Sequence, residues 1–386
     1  MILVLNSGSS SIKYRLFESG EGAVLAGGLI ERIGEAHATA PPDHRTAIQA
    51  IVEQLQEAGH LTAERPLTGI GHRVVHGGER MRTSVRIDPF VIHAIRTAIP
   101  LAPLHNPPNL LGIEICQELW PEVPQVAVFD TAFHLTMPAS AYRYALPQTC
   151  YTDLKIRRYG FHGTSFARAT RQAAAALDIP VDQFNAVILH LGNGASMAAV
   201  AAGRCVDTSM GMTPLAGLVM GTRSGDLDPG VVFYLLAQGQ TAAEVSHMLN
   251  RDSGLKGMTS SNDMRDVLAW AEEGDAAAGL ALDVYIHRIR FYLGGYLLQL
   301  KRVDALIFTG GVGEHAPTIR QRICAELDHL GIQLDDAANH CPDSGLRRLE
   351  TPGSPVGLLL IPADEEREIA EQTGHLVSRP WNRALR

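Results

Sequence analysis

Short apolar runs alternate along the chain with longer stretches in which apolar residues recur at helical spacing. The short runs predict buried strands at residues 2–5, 70–75, 126–129, 186–191, 305–308 and 357–361. The longer stretches predict helices at residues 45–57, 90–99, 109–118, 165–177, 276–300 and 318–330. Because strands and helices alternate, we expect an α/β protein whose strands pair largely in parallel.

Two distant segments repeat one local pattern. VLNSGSSSIK (residues 4–13) and ILHLGNGASM (residues 188–197) each run from an apolar strand through a turn rich in Gly, Ser or Asn. A second β-like run follows each turn, at residues 12–17 and 197–200, which predicts two hairpins. A third such turn, FTGGVGE (residues 308–314), leads into a helix instead. The repetition indicates a duplicated domain, with both hairpin turns facing a cleft and a boundary near residues 147–153.

The two hairpin turns have the composition of anion-binding turns. The first contains Gly8, Ser9, Ser10 and Ser11, with Lys13 close behind, and the second contains Gly192, Asn193 and Gly194. Glycine lets backbone N–H groups approach a phosphate, while Ser and Asn add side-chain donors. Ordinary hairpin turns favour the same residues, so either turn alone has a purely structural explanation. Their occurrence on matching elements favours phosphate binding.

The third turn allows a rival interpretation. Residues 311–316 match the GxGxxG/A pattern of a dinucleotide-binding turn, after a strand and before a helix. The acidic residues about twenty positions on, near Glu326 and Asp328, lie in a predicted helix and not at a strand end. A turn packed against a nucleoside explains the pattern equally well. No Walker A motif is present.

Several charged residues follow strands or lie in glycine-rich loops. Arg73 follows the start of a strand, and Arg223 lies in the loop MGTRSG, where a guanidinium suits a carboxylate or a phosphate. Asp130 ends an apolar strand, the position where α/β sheets hold ligands. Glu365 follows the last strand and is a candidate metal ligand. Surface ion pairs and helix caps are the structural alternatives.

Histidine is abundant, with 16 residues, and four positions bear on a possible site. His72 and His76 are four apart but lie in a predicted strand, so a zinc site is disfavoured. His105 lies in the rigid loop PLHNPP, and His162 lies just before a helix. A histidine there suits stabilisation of a transferred phosphoryl charge, although most such histidines only satisfy hydrogen bonds.

Composition narrows the functional classes. The 386 residues include 33 Lys+Arg and 41 Asp+Glu, a net charge of −8, which disfavours nucleic-acid and anionic-membrane partners. The five cysteines contain no CxxC pair, which suits a reducing cytoplasm and offers no zinc site. The N-terminus lacks a basic region, so we expect no signal peptide, and no apolar run reaches the ~20 residues of a membrane span.

Eleven blocks in register resemble the acetate kinase family, spanning residues 2 to 366. They are NSGSSSIK, GHRVVHGGE, LAPLHNPPN, VFDTAFH, YGFHGTS, HLGNGAS, TSMGMTPL, MGTRSGDLDPG, SNDMRD, FTGGVGE and IPADEE. The resemblance implies two duplicated ribonuclease H-like domains of the actin, sugar-kinase and Hsp70 superfamily, with a ligand cleft between them. It implies a first domain of residues 1–148 plus 367–386, a nucleotide-binding and dimerising domain of residues 149–366, and a cytoplasmic homodimer.

The resemblance also implies site residues. The catalytic set would be Arg73, Asp130, His162 and Arg223, with His162 and Arg223 stabilising the transition state and His105 in support. The acetate-binding residues would be Arg73, Val75, Leu104, Phe161 and Pro214. The nucleotide-binding residues would be Ser9, Ser11, Lys13, His190, Leu191, Gly192, Asn193, Gly194, Asp263, Met264, Arg265, Gly311, Val312, Gly313 and Glu314. Asn6 and Glu365 would hold Mg²⁺, or Mn²⁺ in its place, with Asp130 nearby.

The implied reaction is reversible Mg²⁺-dependent transfer of the γ-phosphoryl group of ATP to acetate, giving acetyl phosphate and ADP. A propionate kinase would have the same mechanism and a roomier acyl pocket. An NAD-linked oxidoreductase using residues 311–316 and a non-catalytic nucleotide-binding module are more distant alternatives. The chain departs from the family in having Asp364 where Asn is frequent and Ala216 where Glu is frequent. The first departure adds charge beside Glu365.

Overall fold

The computed structural model describes residues 1–35 and 40–380, and the last residues of the implied first domain, 381–386, lie outside the described part. The chain clusters into two compact units, Met1–Leu135 with Asp364–Arg386, and Thr136–Ala363. The boundaries expected from the resemblance, at residues 148 and 366, stay predictions. None of the described helices has the length and apolar character that a membrane crossing requires.

The first unit is built on a six-stranded sheet with the strand order β3-β2-β1-β4-β6-β5. Its strands are β1 (Ile2–Ser7), β2 (Ser11–Phe17), β3 (Val24–Glu31), β4 (Gly69–Val74), β5 (Val85–Arg86) and β6 (Gln125–Phe129). Its first helices are α1 (His44–Glu57), α2 (Pro89–Thr97) and α3 (Asn106–Leu119). The strands β1, β2 and β3 form an antiparallel meander, and β4 and β6 extend the sheet in parallel.

The second unit repeats this order as β9-β8-β7-β10-β12-β11. Its strands are β7 (Ala186–Leu191), β8 (Ala195–Ala201), β9 (Arg204–Thr208), β10 (Ala305–Thr309), β11 (Arg347–Arg348) and β12 (Gly357–Leu360). Its helices are α4 (Ala139–Tyr142), α5 (Gln148–Thr152), α6 (Gly163–Ala176), α7 (Pro229–Ala237), α8 (Ala242–Arg251), α9 (Gly254–Thr259), α10 (Met264–Glu272), α11 (Ala276–Gln299), α12 (Gly310–His315), α13 (Pro317–Cys324) and α14 (Asp336–His340). The chain then returns to the first unit as α15 (Glu365–Val377).

Alternation along β1 shows how the first sheet acquires two buried faces. Leu3 and Leu5 pack in the cluster that includes residues of α1 and α3, whereas Ile2 and Val4 pack against α15. The central strands of the second sheet, β7, β10 and β12, are buried along their whole lengths. Continuous apolar runs are typical of strands covered on both faces. Each unit therefore has the predicted ribonuclease H-like α/β fold, and the presence of this fold in both units confirms the duplication.

The predicted helix at residues 318–330 is wrong beyond Cys324. Ala325 is extended and Glu326 has a left-handed φ of +63°, so the helical path stops. The guanidinium of Arg290 donates to the carbonyls of Arg322, Ile323 and Ala325 at 3.3, 3.1 and 2.6 Å. A side chain from α11 thus satisfies the carbonyl groups that a continuing helix would have bonded.

Candidate active site

The turn between β7 and β8 brings a histidine and an arginine to one glycine. A Cβ atom at Gly194 would lie 3.4 Å from Nη2 of Arg223 and 3.5 Å from Nε2 of His162. Both side chains therefore converge on the backbone of the second phosphate-type turn. Because glycine leaves this space open, two cationic or hydrogen-bonding groups can approach an anion held by the turn.

The position of His162 is fixed from several sides. The residue precedes α6 with a left-handed φ of +59°, and its Nδ1 lies 2.9 Å from Oγ of Ser196. Its ring stacks on the ring of His190 with centroids 4.3 Å apart. His190 is held in turn by Oγ of Ser165, 2.8 Å from its Nδ1. Left-handed backbone is uncommon at a non-glycine residue, and here it directs the chain into the start of α6.

Two neighbouring residues hold the side chain of Arg223. Its Nη1 donates to the carbonyl of Pro214 at 2.9 Å and contacts the sulfur of Met220 at 3.4 Å. Burial, followed by the charge of Arg251, lowers the pKa of Arg223. A half-buried arginine without a carboxylate partner in these contacts favours a negatively charged ligand, because partial desolvation makes an uncompensated charge costly.

A pocket of about 670 Å³ adjoins the same turn. Its lining consists of Gly192, Asn193, Gly221, Leu255, Asn262, Asp263, Met264, Arg265, Leu268, Tyr285, Gly311, Val312, His315 and Ala316. Seven of these positions, drawn from three separate motifs, were expected from the sequence to bind a nucleotide. The volume lies within the usual range of small-molecule sites, and the walls combine apolar side chains with a few polar groups.

The other residues that line the pocket were not predicted from the sequence. His315 and Ala316 directly follow the GVGE motif, so the end of that motif could have been extended to include them. Leu255, Leu268 and Tyr285 come from three different helices, and no local pattern distinguishes them from core residues. Of the expected nucleotide residues, Gly313 is buried and Glu314 accepts a hydrogen bond from the backbone of Ala363 at 2.9 Å. Neither lines the pocket.

Asp263 and Arg265 form an ion pair at the pocket edge. Asp263 caps α10 by accepting from the backbone N–H of Arg265 at 2.9 Å, and its carboxylate also pairs with the guanidinium. Hydrogen bonds from Arg265 lower the pKa of Asp263 to about 2. The side chain of Arg265 is 90% exposed, so its planar group is available to a ligand in the pocket.

In the first unit, Arg73 lies between two carboxylates. Its Nη2 is 3.1 Å from Asp130, and its Nε is 3.9 Å from Glu365. Burial alone would lower the pKa of Arg73, but the two carboxylates outweigh it and raise that pKa. Burial and the charge of Asp130 raise the pKa of Glu365 to about 7, against the opposing charge of Arg73, although 24% of its side chain reaches solvent.

The first turn is held as a tight hairpin. The N–H of Gly8 donates to the carbonyl of Ser11 at 2.7 Å, and His44 donates to the carbonyl of Gly8 at the same distance. Lys13, an expected nucleotide ligand, places its ammonium 2.6 Å from Glu366.

Asp364 pairs with Arg15 at 2.8 Å and caps α15. The family frequently has Asn at position 364, and Arg15 therefore balances the extra negative charge that Asp364 brings to this chain.

Two buried asparagines at the start of α3 were also missed. Asn106 accepts from the N–H of His76, and Asn109 accepts from the N–H of Val75 while donating to the carbonyl of Ser7. They tie the backbone after β4 to the end of β1. The two asparagines flank the paired prolines and are three residues apart, a spacing that could have indicated two side chains on one helix face.

The four residues expected to surround a methyl group are distributed over the two units. Val75 is buried and Leu104 is 68% exposed in the first unit. In the second unit, Phe161 is buried and Pro214 holds Arg223 through its carbonyl. Ala216 lies near Gly211, where an added Cβ would be 3.1 Å from the Ala216 side chain.

The donor set for a metal is small. Within residues 1–35 and 40–380, no cluster of three or more His, Cys, Asp or Glu side chains is arranged to hold a metal ion. Asp130 and Glu365 nevertheless interact closely enough for each charge to affect the other. Two carboxylates suit Mg²⁺, which commonly uses one or two protein carboxylates together with phosphate oxygens and water.

The fold matches that of a solved acetate kinase, and together with the pocket beside a phosphate-type turn it places the protein among the kinases, the phosphotransferases that use ATP. The sequence model of the Acetokinase family matches residues 1–371. The chain belongs to the acetokinase family. The dinucleotide-binding alternative for residues 311–316 is accordingly wrong, and these residues instead form most of α12 and its C-cap, where several of them line the pocket.

Related proteins carry matching names. An acetate kinase of Pseudarthrobacter chlorophenolicus is 49% identical over 381 residues, covering 97% of this chain and 98% of that protein. The crystal structure of Porphyromonas gingivalis acetate kinase has a TM-score of 0.93 at 40% identity and covers 97% of this chain and 99% of its own. A propionate kinase from Francisella tularensis subsp. tularensis has a TM-score of 0.90 at 40% identity, with the same coverage.

Proposed function

We propose that this protein is an acetate kinase, which transfers the γ-phosphoryl group of ATP reversibly to acetate and forms acetyl phosphate and ADP. The observation that carries the proposal is the approach of Arg223 and His162 to Gly194. The preceding residues of the same turn, Gly192 and Asn193, line the pocket. A nucleotide in that pocket would therefore direct its phosphates along the turn toward both side chains.

The chemistry requires positioning more than proton transfer. Acetate is already a nucleophile, so its oxygen can attack the γ-phosphorus in line without a general base. Most of the rate enhancement in phosphoryl transfer comes from orientation and from neutralising charge on the equatorial oxygens. We assign this neutralisation to Arg73, His162 and Arg223, and phosphate binding to Asn193 and the turn backbone.

The first unit would supply the groups around the acceptor and the metal. Arg73 would bind the acetate carboxylate or the phosphoryl group, and its pairing with Asp130 would fix its orientation. Asp130, Glu365 and Asn6 would hold Mg²⁺ or Mn²⁺. A divalent ion bound there supplies positive charge to the nucleotide phosphates.

The acceptor is proposed from the names of the relatives and from the family resemblance of the sequence. Val75, Leu104, Phe161 and Pro214 would enclose the methyl group of acetate. One methylene changes binding by only ~1–3 kcal/mol, so a propionate kinase is the second candidate. The solved propionate kinase with a TM-score of 0.90 is the observation in its favour, while the curated relatives named acetate kinase favour acetate.

The test is acyl phosphate formation, trapped as the hydroxamate, with ATP, Mg²⁺ and acetate, propionate or butyrate. The proposal predicts the largest kcat/KM for acetate and a decline along the series. A larger kcat/KM for propionate would support the same mechanism with propionate, not acetate, as the preferred acceptor. Absence of acyl phosphate with all three acids, from protein that binds ATP, would refute the kinase activity.

A variant at Val75 tests the acyl pocket. We expect Val75→Ala to raise the KM for acetate and to improve propionate relative to acetate, by up to ~10-fold. The hydroxamate assay measures the ratio of the two kcat/KM values. Val24→Ala, which shortens a valine exposed on β3, is the matched control. An unchanged ratio in Val75→Ala would remove Val75 from the pocket.

We also propose that the protein is a homodimer in the cytoplasm. Helix α7 contains no buried residue, and Phe233 and Tyr234 are 70% and 66% exposed. On α11, Phe291 and Leu298 are 67% and 89% exposed and stand seven residues apart. Exposed apolar surface of this kind is typical of subunit interfaces. The five cysteines form no disulfide, which suits a reducing compartment.

A further inference from the structure

The segment that carries Arg223 is a loop closed at its base by one carboxylate. We call residues 217–226 the Arg223 loop. The N–H of Gly217 donates to Oδ1 of Asp226 at 2.7 Å, and the N–H of Asp226 donates to the carbonyl of Gly217 at 3.0 Å. Gly217 and Gly225 both have left-handed φ values, and a Cβ on Gly225 would overlap the carbonyl oxygens of Gly217 and Leu218. The two ends of the loop are therefore in contact.

The tip of the Arg223 loop is held by backbone bonds to another segment. The N–H groups of Leu255 and Lys256 donate to the carbonyls of Met220 and Gly221, each at 2.9 Å. The N–H of Ser253 donates to the carbonyl of Thr222 at 3.1 Å. These bonds are made by the backbone and do not depend on a particular side chain. The base, in contrast, also uses the side-chain carboxylate of Asp226.

The second oxygen of Asp226 faces α11. Oη of Tyr292 donates to Oδ2 of Asp226 at 2.6 Å, and the guanidinium of Arg288 lies 3.7 Å from the same oxygen. Arg288 also donates to the carbonyl of Asp226 at 3.4 Å. One carboxylate therefore bonds the loop base with one oxygen and a long helix with the other. Tyr292 does not line the nucleotide pocket.

We propose that Asp226 and Tyr292 are positioning residues that hold the Arg223 loop against α11 and so place the guanidinium of Arg223 for phosphoryl transfer. This inference rests on the proposed function and adds two residues that do not touch the nucleotide. Charge-assisted hydrogen bonds are short and directional, so the pair fixes the loop base in one arrangement. Errors of about 1 Å in the position of a catalytic group reduce rates by ~10²-fold.

The direct test is Tyr292→Phe, which removes only the hydroxyl. We expect kcat for acetyl phosphate formation to fall about tenfold, with the KM for ATP changed by less than about twofold. The matched control is Tyr296→Phe, one helical turn further along α11. The buried hydroxyl of Tyr296 has no hydrogen-bond partner among the described residues, so its removal leaves kcat unchanged. Equal kcat values for the two variants would overturn the proposal.

Repeating Tyr292→Phe in the Arg223→Ala variant tests whether Tyr292 acts by positioning Arg223 or has a general structural role. In Arg223→Ala, adding Tyr292→Phe should cost less than about twofold, because the group it positions is gone. A tenfold loss in both backgrounds would show that Tyr292 acts independently of Arg223 and would contradict the proposal. Thermal unfolding of each variant shows whether a loss of kcat results from a loss of folded protein.

Substitution of Asp226 provides the conservative comparison. Asp226→Asn can keep both hydrogen bonds, with the Tyr292 hydroxyl accepting, whereas Asp226→Ala loses both. We therefore expect Asn to retain most of kcat and Ala to lose at least about tenfold. Equal activity in the two variants would contradict the proposal. Wild-type protein that forms no acyl phosphate would instead refute the proposed function, so the two failures are distinguishable.

Discussion

The side chains at the site are held in place by their neighbours. Ser196 and the ring of His190 fix His162, and the carbonyl of Pro214 fixes Arg223. In the first unit, Asp130 fixes Arg73. Preorganisation of this kind lowers the cost of reaching the transition state, because the groups do not reorganise during the reaction.

His72 makes a residue-level prediction about stability. It is buried on β4 and hydrogen bonded to Gln125 at 2.7 Å, and burial lowers its pKa from 6.5 to about 4. The unfolded chain therefore takes up a proton first as pH falls, so the stabilisation is complete above pH 6.5 and is lost between pH 6.5 and 4. Between pH 7.5 and 5 this group alone should remove roughly 2 kcal/mol of unfolding free energy.

Urea unfolding at the two pH values measures this loss. His72→Gln removes the titrating group, so the difference between pH 7.5 and 5 should shrink by roughly 2 kcal/mol relative to wild type. His93, exposed on α2, provides the control variant His93→Gln, which should keep the wild-type difference. An equal pH dependence in wild type and His72→Gln would refute the assignment.

At residue scale, the sequence was informative where chemistry depends on local patterns. The turns around Gly194 and Gly311 and the arginine of MGTRSG could be found because glycine-rich turns after strands and an arginine in a glycine-rich loop are visible as short local motifs. Tyr285 and Leu268 could not be found, because a pocket-lining apolar residue has the same periodicity as a core residue. Neither could the Asp226–Tyr292 pair, which joins positions 66 residues apart.

At the scale of elements, the two hairpins gave the most reliable predictions. Apolar strands before and after a glycine-rich turn fixed β1, β2, β7 and β8 to within a few residues. Helix α13 was predicted too long because its end depends on Arg290, a contact from a distant helix. Local periodicity indicates where a helix begins and which face is buried, but tertiary hydrogen bonds determined where this one stops.

The turn after β7 gives a prediction at this scale. A Cβ at Gly221 would lie 1.9 Å from Oδ1 of Asn193, so Gly221→Ala must displace that side chain from the pocket wall. We expect the KM for ATP to rise about tenfold through the lost phosphate contact. Steady-state kinetics with varied ATP measure the change.

Gly279→Ala is the matched glycine control. Gly279 lies in α11, and a Cβ there would meet no atom within 4 Å. Its KM for ATP should equal that of the wild type, and its helix should be slightly stabilised, because alanine is the better helix former. A KM in Gly221→Ala no different from that of Gly279→Ala would exclude Asn193 from nucleotide binding.

At the scale of the whole molecule, the two sheets share one strand order. The duplication was inferred from the two similar hairpins, and the strand order of each sheet confirms it. Strand order across the parallel half of each sheet was not predictable from periodicity, because buried parallel strands are uniformly apolar and carry no register pattern. The resemblance to a known family implied the duplicated ribonuclease H-like domains, and the structure supplies the strand order.

The exposed apolar row on α11 predicts how the molecule associates. Leu298→Glu would place a charge in the proposed dimer interface, and we expect it to shift the protein from dimer to monomer. Light scattering coupled to size-exclusion chromatography measures the mass. Leu154→Glu changes another leucine of the second unit that is 64% exposed and should leave the mass unchanged. A dimer in both variants would exclude this face.

The most direct test of the account is the kcat of Arg223→Ala in acetyl phosphate formation, compared with Arg251→Ala. Arg251 lies close enough for its charge to affect Arg223 but does not line the pocket. Loss of a transition-state charge partner predicts a fall in kcat of at least ~10²-fold for Arg223→Ala. Arg251→Ala should stay close to wild type. A near-wild-type kcat in folded Arg223→Ala would contradict the central claim that Arg223 stabilises the transferred phosphoryl group.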